Sequence, residues 1–151
     1  MTAGDDRQLA IGRSFRAPPA AVWRAWTDPD ILPRWFGPAG FRCETKEIDL
    51  RDGGLWRFDM VGHGLVFPNR HHALAYTPMT RIHFLMDDDS DAAPPYDVTV
   101  TLTPEGEGTR LDQVMTFPSA AKRAEVEGFG AVEMGHQTLA KLAALLDGPP
   151  A

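Results

Sequence analysis

From Tyr96 to Thr103 the chain alternates Val98, Val100 and Leu102 with Thr99, Thr101 and Thr103, the period-two pattern of a strand with one buried face. The same period recurs on both sides of that stretch. Trp56, Phe58 and Met60 alternate with Arg57 and Asp59. Ile82, Phe84 and Met86 share one face of a strand over 81–86, and Leu111, Gln113, Met115 and Phe117 share one of 109–117. Residues 41–50 read as a further, mixed strand, and Ile11 and Phe15 alternate with small residues in an N-terminal one. Asp52-Gly53-Gly54, Gly62-His63-Gly64 and Glu105–Gly108 supply tight turns between these runs, so the strands are expected to form an antiparallel meander. Pro68 cannot donate to a ladder, which marks its stretch as an edge or a bulge. The strand resumes through His72, Leu74 and Tyr76, taken by parity as one face, with His71 on the other.

Two segments follow the helical period instead. Pro18 and Pro19 end the first strand and sit where a helix begins, because a missing N–H costs nothing in the first turn. Val22 and Trp26 then share a face, with Trp23 at its edge. Asp28 and Pro29 read as the cap and first residue of a second short helix that stops at Gly37-Pro38. At the other end of the chain Ser119 caps a long helix whose apolar stripe is Phe129, Val132, His136, Leu139, Ala143 and Leu146, closed by Gly148-Pro149-Pro150. Gly128, Gly130 and Gly135 are unfavourable inside a helix. They mark either a break near residue 128 or a place where the helix must stay thin.

The order is strand, two short helices, about six strands and one long helix. An antiparallel sheet burying one face against a long helix is an α+β arrangement. With 151 residues and 43% hydrophobic composition the chain is read as one domain with a core over about 8–147. A net charge of −6 gives no cationic footprint for nucleic acid or an anionic membrane. The N-terminus lacks the basic start and apolar run of a signal peptide, and a single cysteine, Cys43, suits a reducing compartment, so a cytoplasmic protein is expected. No cofactor motif is present.

The inner face offers the chemistry. Trp56, Phe58, Met60, Phe84 and Met115 combine aromatic and thioether groups, which adapt to irregular apolar surfaces. They would serve as core or as pocket. His136 either meets the polar end of a ligand, or a proton, or is a core histidine satisfied by the sheet. If it is functional, Gln113 and Tyr76 are the sheet residues it should face, and His72 is the inward member of the histidine pair. Arg13 shares parity with Ile11 and Phe15, so it must emerge at the rim or pair with a carboxylate such as Asp112 or Glu133. No HExxH, cysteine pair, GxSxG or GxGxxG is found.

Five successive blocks resemble one family: RSFRAPPAAVWRAWTDPDILPRWFGP at 13–38, RDGGLWRFDM at 51–60, FPNRHHALAYTPMTRIHF at 67–84, GEGTRLD at 106–112 and GHQTLAKLAALL at 135–146. They are similar to the heat-shock-protein-90 ATPase activator homologue group of the SRPBCC, START-like superfamily. The resemblance implies a helix-grip fold: a curved antiparallel sheet of six to seven strands around a long C-terminal helix, with two short helices after the first strand. It also implies a cavity between sheet and helix that holds a hydrophobic small molecule. Phe129 stands where relatives commonly carry tryptophan, and His71, His72 and His136 where they carry apolar or uncharged residues. The expected ligand-binding set is therefore Trp56, Phe58, Met60, His72, Tyr76 and Phe84 on one side. Gln113, Met115, Phe129, Val132 and His136 complete it on the other. Binding without catalysis is the first expectation. A polyketide cyclase, dehydratase or hydrolase activity in the same cavity is an alternative, and a chaperone ATPase-activating module another, in a monomer or homodimer.

Overall fold

The computed structural model describes residues 6–92 and 94–147; the expected Gly148-Pro149-Pro150 stop lies outside them. In chain order the elements are β1 (Gln8–Phe15), α1 (Pro19–Thr27), α2 (Leu32–Trp35), β2 (Phe41–Asp49), β3 (Leu55–Gly62) and β4 (Leu65–Thr77). They continue with β5 (Arg81–Asp87), β6 (Tyr96–Glu105), β7 (Gly108–Thr116), α3 (Ala120–Gly128) and α4 (Ala131–Asp147). All seven strands form one antiparallel sheet in the order β1-β7-β6-β5-β4-β3-β2. It is an open, curved sheet with its helices on the concave side, the α+β helix-grip arrangement. Among the described residues only the β1–β7 pairing is non-local, and it joins the first strand to the last through Ile11 opposite Gln113 and Phe15 opposite Thr109.

The turns work as their residues dictate. His63 (φ 52°) and Gly64 (φ 75°) both take the left-handed conformation that a two-residue hairpin needs. Pro68 is accommodated because β5 ends at Asp87, opposite Arg70, so β4 has a neighbour on one side only at that point.

Two helical expectations change. Asp28 does not cap α2. It closes α1, and its carboxylate accepts from the Asp30 N–H at 2.8 Å, which holds residues 28–31 as a turn and delays α2 to Leu32. The C-terminal helix is two helices. Ser119 does cap the first, accepting from the Lys122 N–H at 3.0 Å, but the chain breaks at Gly130 (φ 87°) and α4 starts afresh at Ala131.

α4 lies mainly against β1, and at Gly135 it comes so close that a Cβ would stand 2.6 Å from Ile11 Cδ1. Both glycine readings thus hold, the break at 130 and the thin face at 135. Leu139, Leu142 and Ala143 fill the core on this side. The β3–β5 side of the concave face is covered by α1 and α2 through Val22, Trp26, Leu32, Trp35 and Phe36, all buried.

Candidate functional site: the concave aromatic face

The inner face of β3 carries Trp56 and Phe58, fully buried and stacked with centroids 3.8 Å apart. Phe36, which follows α2, meets both rings edge-on at 5.5 and 5.9 Å. Phe84 arrives from β5 and Trp26 from α1, 6.3 Å apart. The sixth ring in this cluster belongs to His71. It is 2% exposed, lies flat on Phe84 at 4.3 Å and 15°, and takes the edges of Phe36, Trp56 and Phe58 at 4.9 to 5.4 Å.

His71 thus occupies the position expected for His72. The reason is one extra residue. His72 pairs with Leu85 but Ala75 pairs with His83, so a β-bulge lies between them and parity reverses across it. Leu74 and Tyr76 point inward as expected, yet counting back through the bulge brings His71, not His72, to the same side. His72 is turned to the convex face, where its Nε2 lies 2.9 Å from Asp87 Oδ2 without the alignment of a hydrogen bond. Arg70 clamps the same carboxylate through two nitrogens at 3.0 and 2.7 Å, and these contacts lower the Asp87 pKa against the desolvation that raises it.

Burial, the largest influence, pushes the His71 pKa down to about 3, with the neighbouring His72 adding to the effect and Asp87 opposing it. The imidazole is therefore neutral. Its Nε2 has no hydrogen-bond partner among the described residues, and neither has Trp26 Nε1 in the same cluster. The other buried indoles are satisfied: Trp35 Nε1 donates to Ala25 O at 3.0 Å and Trp56 Nε1 to Thr45 Oγ1 at 3.1 Å. An unsatisfied buried nitrogen costs ~1–3 kcal/mol and is uncommon in folded proteins.

Around this cluster the inner face is only half covered. Met60 and Met86 are half-buried, and the Tyr96 hydroxyl donates to Met86 Sδ at 3.0 Å. Gln113, half-buried, sits on β7 between Val100 and Ile11, and Met115 next to it is buried. Val132 of α4 packs on the core edge, and Tyr76 takes Trp23 edge-on at 5.9 Å. Besides His72, two members of the expected set fall outside it. Phe129 is 72% exposed, because it ends α3 before the break and does not belong to the α4 stripe. His136 is exposed as well. Leu139, Leu142 and Ala143 set the buried direction of α4, and His136 lies to one side of it. Arg13 is exposed too, and Asp112 pairs with Arg110 instead, at 3.3 Å.

Sequence patterning missed three contributors. Trp26 is legible only as one face of α1 and Phe36 carries no reading of its own, yet they wall the cluster that holds His71. Lys141 of α4 reaches in to donate to Gly37 O and Phe41 O at 3.1 and 3.0 Å, and burial lowers its pKa. With Gln137, whose Oε1 accepts from the Ala39 N–H at 3.1 Å, it ties the loop before β2 to the helix. Beside it the Cys43 thiol donates to Phe36 O at 3.3 Å and is pushed up to about 12 by burial. Among the described residues no group of three or more His, Cys, Asp or Glu could hold a metal ion. No helix among them is long and apolar enough to cross a membrane.

A curved antiparallel sheet closed on its concave side by two short helices and a C-terminal helix, over an aromatic inner face, defines a helix-grip protein of the SRPBCC type. Residues 16–147 match the family model described as "Activator of Hsp90 ATPase homolog 1-like protein", and the chain belongs to that family. Solved structures agree. Protein NE0264 from Nitrosomonas europaea is 26% identical with a TM-score of 0.82, over 96% of this chain and 97% of that one. Protein CV1439 from Chromobacterium violaceum is 28% identical with a TM-score of 0.77, over 94% and 99%. The AHSA1 protein from Silicibacter pomeroyi, 24% identical with a TM-score of 0.74 over 93% and 97%, shares the fold. No curated protein matches the chain.

Proposed function

We propose that the protein binds a hydrophobic small molecule on the concave face, between β3–β6 and the helices. The observation that carries this reading is the gradient of burial there. Trp56, Phe58 and Phe84 are sealed, while Met60 and Met86 on the same face, Gln113 on neighbouring β7 and Val132 of α4 stay half-buried. Unbranched thioethers at such an edge can swing aside and refill, which suits entry of an apolar guest. A ligand bound only by the folded state raises stability by about 2.7 kcal/mol when present at a hundred times its Kd. Thermal unfolding with a panel of neutral one- to three-ring compounds and medium-chain alcohols should therefore show an upward shift. It should be accompanied by methyl chemical-shift changes at Met60 and Met86. A flat melting point together with unmoved methionine methyls across the panel would sink this reading.

Acid–base chemistry built on His72 and His136 gains no support, since one stands on the convex face and the other on an exposed helix flank. The chaperone reading has its own observation. Leu65, Val66 and Phe67 at the tip of the β3–β4 hairpin are about half exposed, at 52%, 58% and 46%. Exposed apolar side chains so grouped are what a protein contact uses. The family's description supplies the partner, a heat-shock-protein-90-type ATPase. Stimulation of that ATPase by the wild type and not by a Val66→Asp variant is the expected result, and equal rates with and without the protein would dismiss it.

A further inference from the structure

We propose that His71 Nε2 is the anchor that selects the ligand, by hydrogen bonding to the hydroxyl of a neutral, otherwise apolar molecule. This rests on the binding reading above and adds to it the chemical class of the ligand and the residue that chooses it.

Three observations lead there. First, the nitrogen is unpartnered although its ring is 2% exposed, so the fold leaves a polar atom in an aromatic enclosure with no described residue to complete it. Secondly, the ring is held in one orientation. Phe84 covers one face at 4.3 Å and 15°, and Phe36, Trp56 and Phe58 stand steeply to the ring at 4.9 to 5.4 Å, so the direction of its hydrogen bond, in the imidazole plane, is fixed, and a guest reaches the sealed Nε2 by displacing a neighbouring side chain. Thirdly, the cross-strand neighbours that flank the ring are Trp56, whose indole N–H is committed to Thr45, and Met86, which is half-buried and displaceable.

The chemistry of the partner follows. A neutral imidazole has one donating and one accepting nitrogen, and the tautomer decides which is Nε2. A hydroxyl serves in either case, since it donates as well as accepts. A carboxylate or an ammonium would bring a full charge into a cluster of aromatic carbon without a counter-charge, and burial already opposes a proton on the ring itself. The site therefore favours alcohols and phenols over their acid and amine counterparts of the same shape.

Isothermal titration of the whole chain with matched probes tests this: 2-naphthol, naphthalene and 2-naphthoate, and phenol with toluene as the one-ring pair. The wild type should bind each hydroxyl compound about tenfold more tightly than its hydrocarbon, one charge-neutral hydrogen bond in a dry site, and the carboxylate more weakly than both. His71→Phe should bind hydrocarbon and alcohol equally. His71→Gln, which keeps a donor and an acceptor, should recover part of the preference, and melting curves check that both variants fold. In the wild type the 15N signal of His71 Nε2 should move with 2-naphthol and stay in place with naphthalene. Equal affinity for alcohol and hydrocarbon in the wild type, or a preference that survives in His71→Phe, overturns the anchor while leaving the binding reading intact. Absence of binding by every probe overturns both.

Discussion

A histidine kept neutral by burial weakens the folded state in acid. The unfolded chain takes up a proton near the ordinary histidine value of 6.5, whereas the folded His71 does so only at about 3. Between those values the unfolded state binds more protons, so stability is full above pH 6.5 and is lost as pH falls toward 3, by about 1.4 kcal/mol per unit. The charged and titratable groups that bear on His71 are His72, which depresses it further, and Asp87, which opposes. Asp87 and Asp89, whose folded values are lowered, add their own loss only below the carboxylate value of 3.8. Urea unfolding midpoints at pH 7, 5.5 and 4.5 should fall steadily for the wild type and more shallowly for His71→Phe; parallel profiles would show that His71 is not held neutral. The sequence offered the pair His71-His72 as one inward and one outward residue, and that much was legible. Which was which depended on a bulge that no residue at 72–75 announces.

At the scale of elements the C-terminal helices depend on two glycines with different physics. Gly130 closes α3 in a left-handed conformation, and nothing lies within 4 Å of the place its Cβ would take, so backbone strain alone would penalise a side chain there. Gly135 has ordinary helical geometry but faces Ile11 Cδ1 at 2.6 Å. Gly135→Ala gains about 1 kcal/mol of helix propensity and must displace that methyl to keep it. It should therefore destabilise the wild type and become neutral or stabilising in an Ile11→Val background, which removes the methyl. Additive effects in the double-mutant cycle, read from urea midpoints, would place the contact elsewhere. The three glycines were visible as oddities in an apolar stripe. Treating that stripe as continuous assigned Phe129 to the interior, because a break resets helical phase and the sequence does not say by how much; His136 follows the break at stripe spacing from Leu139, and only the packing of Leu139, Leu142 and Ala143 leaves its flank exposed.

Across the whole molecule the acidic stretch after β5 is fastened to the convex face of the sheet. Asp89 accepts from Arg57 Nε at 2.8 Å and from Lys46 Nζ at 3.2 Å, and Lys46 also reaches Asp59 at 3.1 Å. Arg70 gathers Asp87 and Asp91 from the same stretch. Like charges in this run repel one another, but Lys46 on β2, Arg57 on β3 and Arg70 on β4 offset them. Asp89→Ala should speed amide exchange at 87–92 and leave β6 and β7 unchanged, with a lowered melting point, since the Asp89 side chain is only 5% exposed and its loss leaves Arg57 and Lys46 without that partner. Unchanged exchange in that loop would mean that the fastening lies with Arg70 alone.

Local periodicity determined the seven strands, the hairpin turns, the Ser119 cap and the α+β order, because each is written in side-chain alternation and backbone preference within a few residues. Tertiary structure alone decided what the concave face presents. Register between β4 and β5 put the bulge at 72–75 and turned His71 inward. The approach of α4 to Ile11 fixed which of its faces is buried. Packing of Trp26 and Phe36 over the sheet made an enclosure from residues far apart in the chain. These are contacts between elements, and the energies that set them do not exist until the elements meet.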